Sequence, residues 1–77
     1  MQRVRVLVAP GCHLCDAALD VIEHVRLENP FELEVVDISD NEELEIRYRI
    51  DIPVVEIDGE RAFTYVVTEA GLRQRLG

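Results

Sequence analysis

The sequence contains no lysine and no tryptophan, and only two phenylalanines and two tyrosines occur among its 77 residues. Every basic side chain is therefore an arginine, which excludes both lysine Schiff-base chemistry and a thiolate activated by lysine. Because aromatic rings are so few, we expect a core that is mostly aliphatic. The apolar fraction of 48% is ordinary for a folded globular protein.

Positive charge is also scarce, since eight arginines face sixteen acidic residues and the formal net charge is -8. Nucleic-acid phosphates require a basic surface, so we expect no nucleic-acid partner. The apolar runs are too short to span a bilayer, which argues against a membrane partner. The first residues resemble the start of a strand rather than a signal peptide, which favours a cytoplasmic location. The length predicts one domain over residues 1–77, and we expect a monomer.

Cysteine is limited to Cys12 and Cys15 in the segment Pro10-Gly11-Cys12-His13-Leu14-Cys15-Asp16. A disulfide that closes such a short loop contributes little to stability. In a reducing compartment, a CxxC pair beside a strand–helix pattern indicates redox chemistry or metal binding.

The apolar pattern on either side of the pair defines its local structure. Residues 4–8 are β-branched and apolar and predict a buried strand. Apolar residues then recur with helical spacing at Leu14, Ala18, Val21, Ile22 and Val25, which predicts a helix over residues 14–27. Cys12 should lie at or just before the helix start, with Cys15 one turn later. Two sulfurs at that separation can form a disulfide with little backbone movement.

The remaining elements follow from alternating patterns and turn signals. They are a strand at 31–37, a short helix from 39–43 to about 49, strands at 52–57 and 61–66, and a last helix at 68–77. The first two strands should be parallel because a helix separates them. Asp58-Gly59 is a strong hairpin signal between the last two strands. The order β-α-β-α-β-β-α predicts an α/β fold.

These features together resemble a known family. CxxC after the first strand, Ile52-Pro53-Val54 at the head of the third strand and the Asp58-Gly59 hairpin are similar to the thioredoxin superfamily. The short length and element order most resemble small bacterial glutaredoxin-like proteins. The resemblance implies a four-stranded mixed sheet in the order 2-1-3-4, with the active site where the first strand leads into the first helix.

The resemblance also implies roles for individual residues in a thiol–disulfide oxidoreductase. Cys12 would be the attacking thiolate and Cys15 the resolving thiol. Pro53 matches the family's cis-proline beside the sulfurs, and the Ile52 backbone would pair with an extended substrate. Tyr65 is interpreted first as a residue of the core or the sheet face, and it is also a candidate for the wall of the groove next to Pro53.

The chemistry of Cys12 follows from its predicted position. A helix N-terminus favours the thiolate and should lower the pKa of Cys12. Protonated His13 should act in the same direction, whereas Asp16 should oppose it if its carboxylate turns toward the site. Stabilising the reduced thiolate predicts a reduction potential more oxidising than that of thioredoxin.

The sequence departs from familiar glutaredoxins in ways that bear on its partners. Ala9-Pro10-Gly11 stands where they carry a lysine, and the region 65–70 lacks their Gly-Gly segment. The resemblance implies a disulfide-bearing protein or small molecule as the substrate. Thioredoxin, thioredoxin reductase and glutathione all remain candidate reductants, and no cofactor is expected.

Two other classes of protein stay open at this point. Cys12, His13 and Cys15 resemble half of a zinc site, but no second CxxC or H-x-x-x-H is present, so we predict no resident metal. A metal or iron–sulfur carrier of glutaredoxin shape is the first alternative. A non-catalytic interaction domain that keeps the thioredoxin-like shape is the second.

Overall fold

The computed structural model describes residues 1–76 and contains the predicted order of strands and helices. The strands are β1 (Arg3–Val8), β2 (Glu32–Asp37), β3 (Val54–Ile57) and β4 (Glu60–Thr64). The helices are α1 (His13–Glu28), α2 (Glu42–Tyr48) and α3 (Glu69–Leu76), with a 3-10 turn at Ile38–Asp40 ahead of α2. The predicted end of the last helix at Gly77 lies outside the described residues.

The four strands form one mixed sheet in the order β2-β1-β3-β4. β1 and β2 are parallel, whereas β3 is antiparallel to both β1 and β4. Asp58 and Gly59 form the turn between β3 and β4 with φ angles of 51° and 88°. Both angles lie in the left-handed region that Asp-Gly hairpins use. The predicted α/β fold and its 2-1-3-4 strand order are therefore confirmed.

One face of the sheet packs against α1 and α3 around a mostly aliphatic core. Its buried residues are Val4, Val6, Ala18, Ile22, Val25, Phe31, Val55, Ile57, Val67, Leu72 and Leu76. Within α1 the buried positions include Cys15, Ala18, Ile22 and Val25. Leu14 was expected on this face but is 48% exposed. At about 100° per residue, Leu14 lies about 60° from the centre of the buried face of α1, at its margin and in the first turn of the helix.

The other face of the sheet carries a smaller cluster beneath α2. Leu7, Ile38, Tyr48 and Val54 are its buried members, and Ala9, Val36, Leu44 and Ile52 pack against it. Ala9 leads into the CxxC segment and Ile52 precedes Pro53. The cluster therefore anchors both of these loops on one apolar base.

Two strand boundaries differ from the prediction for identifiable reasons. β3 begins at Val54 rather than at residue 52, because Pro53 has no N–H and the Ile52 N–H donates to the Tyr48 carbonyl at 3.1 Å. β4 ends at Thr64 rather than at residue 66, because Tyr65 adopts a φ of 71° and turns the chain out of the sheet. None of the helices within residues 1–76 combines the length and the apolar character needed to cross a membrane.

Candidate active site

Four chain segments meet at one edge of the sheet. β1 and β2 are parallel and end together, with Val8 paired to Asp37. In the antiparallel neighbours, Leu7 pairs with Val54, and Val54 pairs with Thr64. The start of β3 and the end of β4 therefore lie at that same edge. This register brings together the CxxC loop, the turn after β2, the Ile52–Pro53 segment and the residues after β4.

Cys12 occupies the N-cap position of α1 in an extended conformation, with φ -93° and ψ 108°. Its Sγ accepts a hydrogen bond from the Cys15 N–H at 3.1 Å, and its carbonyl accepts one from the Asp16 N–H at 3.1 Å. The preceding Gly11 has a φ of 76°, which glycine adopts at little cost as the chain turns into the helix. The sulfur therefore takes the place of the oxygen that usually caps a helix.

This position has an electrostatic consequence for the reduced protein. The sulfur faces the free N–H groups and the positive dipole end of a 16-residue helix. A hydrogen bond donated to the sulfur stabilises its charged form more than its neutral form. We therefore expect this arrangement to stabilise the thiolate of reduced Cys12 relative to the thiol.

Cys15 lies at disulfide distance from Cys12 and is the inner member of the pair. The two residues are joined as a disulfide with a Cα–Cα distance of 5.1 Å, within the usual range. Cys15 is only 1% exposed, whereas Cys12 is partly exposed. An incoming disulfide therefore reaches the sulfur of Cys12 more easily than that of Cys15.

The Ile52–Pro53 peptide bond is cis, as the resemblance implies. Pro53 is buried, and the sheet register places it alongside the end of β1. The carbonyl of Tyr48 accepts hydrogen bonds from the N–H groups of Asp51 at 2.7 Å and Ile52 at 3.1 Å. Because the Ile52 N–H is already bonded within the protein, backbone pairing with a substrate would rest on the Ile52 carbonyl.

Tyr65 is joined to the proline segment by its backbone and by its side chain. Its N–H donates to the Pro53 carbonyl at 2.9 Å, and its hydroxyl donates to the Ile50 carbonyl at 3.0 Å. The side chain is nonetheless 47% exposed. Sequence reasoning placed Tyr65 near Pro53 but extended the strand through it, because a positive φ at tyrosine has no simple sequence signal.

His13 is the first residue of α1, and its side chain is exposed to solvent. Asp16 lies in the same first turn and is also exposed. Water screens exposed charges, so the interaction between two of them is typically worth only about 0.2–1 kcal/mol. The electrostatic influence of either side chain on Cys12 is therefore expected to be modest.

Asp37 is a residue of this edge that sequence reasoning did not single out. It ends β2, and its carboxylate accepts hydrogen bonds from the Ser39 hydroxyl at 2.6 Å and the Ser39 N–H at 2.9 Å. These two bonds lower the pKa of Asp37. The side chain thereby holds the turn beside the CxxC loop. An aspartate two residues before a serine after a strand is the signal that predicts such a turn.

A charged hollow of about 560 Å³ lies at the opposite edge of the sheet. It is lined by Met1, Arg3, Arg5, Glu32, Glu34, Glu56, Asp58 and Gly59. Since Arg3 begins β1 and Asp58 follows β3, the hollow is remote from the CxxC loop. Among residues 1–76, no three histidine, cysteine or acidic side chains cluster closely enough to hold a metal ion.

The sheet order, the cis-proline segment and a CxxC pair at a helix start define a protein of the thioredoxin fold. The sequence matches the family model of the Glutaredoxin-like domain (DUF836) over residues 3–77. The chain therefore belongs to this glutaredoxin-like family within the thioredoxin superfamily. A search of curated proteins finds no significant match.

Solved structures agree with this assignment. Protein Ne2328 from Nitrosomonas europaea is 26% identical with a TM-score of 0.82, and the match covers 99% of this chain and 92% of that one. Protein XcR50 from X. campestris is 26% identical with a TM-score of 0.79, over 95% and 93% of the two chains. Thioredoxin from Fasciola hepatica is 26% identical with a TM-score of 0.66, over 97% and 77%.

Proposed function

We propose that this protein is a thiol–disulfide oxidoreductase in which Cys12 attacks and Cys15 resolves. The observation that carries the proposal is the asymmetry of the cysteine pair. The partly exposed sulfur of Cys12 accepts the N–H at the start of α1, whereas Cys15 is 1% exposed at disulfide distance. The outer sulfur is thus the more acidic and more accessible, and the inner one is shielded from competing reactions.

Exchange proceeds in two steps from the reduced form. The Cys12 thiolate attacks one sulfur of a substrate disulfide, which forms a mixed disulfide and releases the other sulfur as a thiolate. Cys15 then loses its proton to solvent and attacks the Cys12 sulfur. The Cys12–Cys15 bond forms, the second substrate sulfur leaves as a thiolate, and two electrons have passed to the substrate. The oxidised product of this cycle has the disulfide present in the structure.

An extended polypeptide is the substrate form that the neighbouring segments suit. The Ile52 carbonyl lies beside the cis-proline, and Tyr65 presents a half-exposed ring next to Pro53. A carbonyl beside an aromatic wall can accept a substrate N–H while the ring packs against a side chain. We assign Ile52, Pro53 and Tyr65 to substrate binding on this basis.

The net charge of the protein and the residues that follow β4 both bear on the choice of reductant. The net charge of -8 disfavours anionic glutathione, and Tyr65-Val66 occupies the region where familiar glutaredoxins carry Gly-Gly. Thioredoxin or thioredoxin reductase is therefore the preferred electron donor. The exchange chemistry suits a reducing cytoplasm. We also propose that residues 1–77 form one domain.

Reduction of insulin and of a small aromatic disulfide tests the proposal directly. Cys12→Ser should abolish both reactions, whereas Cys15→Ser should still form a mixed disulfide that mass spectrometry detects on Cys12. Glutathione with glutathione reductase and thioredoxin with thioredoxin reductase should be compared as donors under identical conditions. Full activity of Cys12→Ser, or inertness of the reduced wild-type protein toward both disulfides, would contradict the assignment.

A further inference from the structure

Tyr65 lies at the centre of a tight three-residue turn. The Val66 N–H donates to the Thr64 carbonyl at 2.9 Å, and Tyr65 between them has a φ of 71°. An i to i+2 hydrogen bond around a residue with positive φ is the rarer and more strained kind of γ-turn. Glycine adopts this conformation far more readily than a residue with a side chain. A tyrosine occupies this position in spite of the backbone strain, which suggests that its side chain has a functional role.

The tyrosine is fastened at both ends to one short segment. Its N–H bonds to the Pro53 carbonyl at 2.9 Å and its hydroxyl to the Ile50 carbonyl at 3.0 Å. The two acceptors are three residues apart, so the ring runs alongside the backbone of residues 50–53. We call this pair of hydrogen bonds the Tyr65 clamp.

The other polar contacts of the clamped segment are made by Asp51 and Ile52. The N–H groups of Asp51 and Ile52 hold it to the end of α2, and the Asp51 carboxylate lies 3.5 Å from Arg61. Ile50 itself is 75% exposed. The Tyr65 hydroxyl therefore fixes the backbone carbonyl of an exposed residue just ahead of the residues assigned to substrate binding.

We propose that Tyr65 is a positioning residue that makes the site selective for polypeptide disulfides over small ones. The inference rests on the proposed oxidoreductase function. The clamp holds residues 50–53 so that the Ile52 carbonyl is presented to an extended chain, and the exposed ring contacts the residues beside the substrate cysteine. A small disulfide uses only the sulfur of Cys12 and gains nothing from the clamp.

Three variants separate this role from a general structural one. Tyr65→Phe removes only the hydroxyl, and Tyr65→Gly removes the ring while relieving the positive φ. Asp58→Gly is the matched control, because Asp58 also has a positive φ, of 51°, but lies at the opposite edge of the sheet. Each variant is assayed with insulin and with hydroxyethyl disulfide, and its Tm is measured in the oxidised state.

Tyr65→Phe should raise KM for insulin about twofold to tenfold, the range that corresponds to one ordinary hydrogen bond, with kcat little changed. Tyr65→Gly should raise KM for insulin further without lowering Tm in proportion, because glycine tolerates the turn. In both Tyr65 variants the loss of kcat/KM should be larger for insulin than for hydroxyethyl disulfide, whereas Asp58→Gly should alter neither reaction.

The outcomes distinguish the two proposals. Wild-type protein that reduces neither disulfide refutes the oxidoreductase function itself. If the wild-type protein reduces both disulfides and Tyr65→Phe leaves KM for insulin unchanged, the proposed role of the Tyr65 clamp is overturned. A parallel loss on both substrates would also overturn it, since that result shows a structural role. If Tyr65→Gly does not fold, the conservative Tyr65→Phe variant decides the matter alone.

Discussion

Reduction of the Cys12–Cys15 bond frees a thiol at the start of α1 whose ionisation can be followed directly. Cys15→Ser is the useful perturbation, because it leaves Cys12 as the single cysteine and keeps the backbone N–H that donates to its sulfur at 3.1 Å. We expect the pKa of Cys12 in this reduced variant to lie below that of the same residue in the unfolded chain.

The magnitude follows from two contributions. A hydrogen bond to a charged acceptor is worth about 1 kcal/mol more than one between neutral groups. The helix dipole adds about 0.3–1 kcal/mol at the first turn. The two contributions sum to about 1.3–2 kcal/mol; because Cys12 is partly exposed, solvent screens part of this sum, and we take about 0.7–1.4 kcal/mol. At about 1.36 kcal/mol per pH unit, the titration midpoint should move down by about 0.5 to 1 pH unit.

The assay is alkylation by iodoacetamide across a pH series, followed by mass spectrometry. The same variant in concentrated urea supplies the unfolded reference in an identical sequence. The midpoint of the pH profile is the quantity to compare. The rate at a single pH is a poorer measure, because a more acidic thiol yields a less nucleophilic thiolate.

The sign of the associated stability change provides a second check. A thiol whose pKa is lowered by folding stabilises the folded protein above the ordinary thiol value, and this contribution is lost as pH falls through the native midpoint. The free energy of unfolding of reduced Cys15→Ser should therefore rise as pH increases from the native midpoint to the midpoint in urea. A native midpoint equal to or above that in urea would refute the account of Cys12.

Three further predictions concern the surroundings of the site. His13→Ala should lower the reduction potential by roughly 5–20 mV, because an exposed charge stabilises the Cys12 thiolate by about 0.2–1 kcal/mol and 30 mV corresponds to about 1.4 kcal/mol; an unchanged potential would remove that role. Asp37 has a lowered pKa through its bonds to Ser39, so it stabilises the fold above the ordinary aspartate value and loses this effect as pH falls through the lower native value. Asp37→Asn should therefore be less stable than wild type at neutral pH, with the difference shrinking in acid, and a pH-independent difference in urea unfolding would contradict this. Gly71→Ala should not raise Tm, although such a change usually stabilises a helix by about 1 kcal/mol, because the new Cβ would lie 2.8 Å from the hydroxyl oxygen of Thr68, which accepts the Gly71 N–H at the start of α3; a higher Tm would show that this contact relaxes freely.

Local patterns in the sequence were sufficient to predict the elements and the position of the cysteine pair. The strand before Cys12 and the helix after it follow from apolar spacing, and the Asp58-Gly59 turn follows from the residues that tolerate a positive φ. Each of these features depends on interactions between residues close together in the chain. The family resemblance added the sheet order and the cis bond at Pro53, and the structure contains both.

The detailed contacts of the site could not be predicted from local sequence patterns. The exposure of Leu14 depends on how α1 rotates against the sheet, which the whole core decides. The internal bond of the Ile52 N–H depends on where α2 ends, and the Tyr65 turn depends on acceptors at Ile50 and Pro53 in another segment. No local periodicity carries information about such distant partners.

A single physical cause separates the features that the sequence predicts from those that only the tertiary structure decides. Hydrogen bonds within a helix or a tight turn join residues a few positions apart, so the amino-acid sequence by itself determined the CxxC strand–helix unit and the order of elements. The register that sets Val8 beside Asp37, and Leu7 beside Val54, forms only when the apolar faces of all four strands are buried together. That tertiary packing alone decided which segments meet beside the CxxC loop and which of their backbone groups are bonded within the protein.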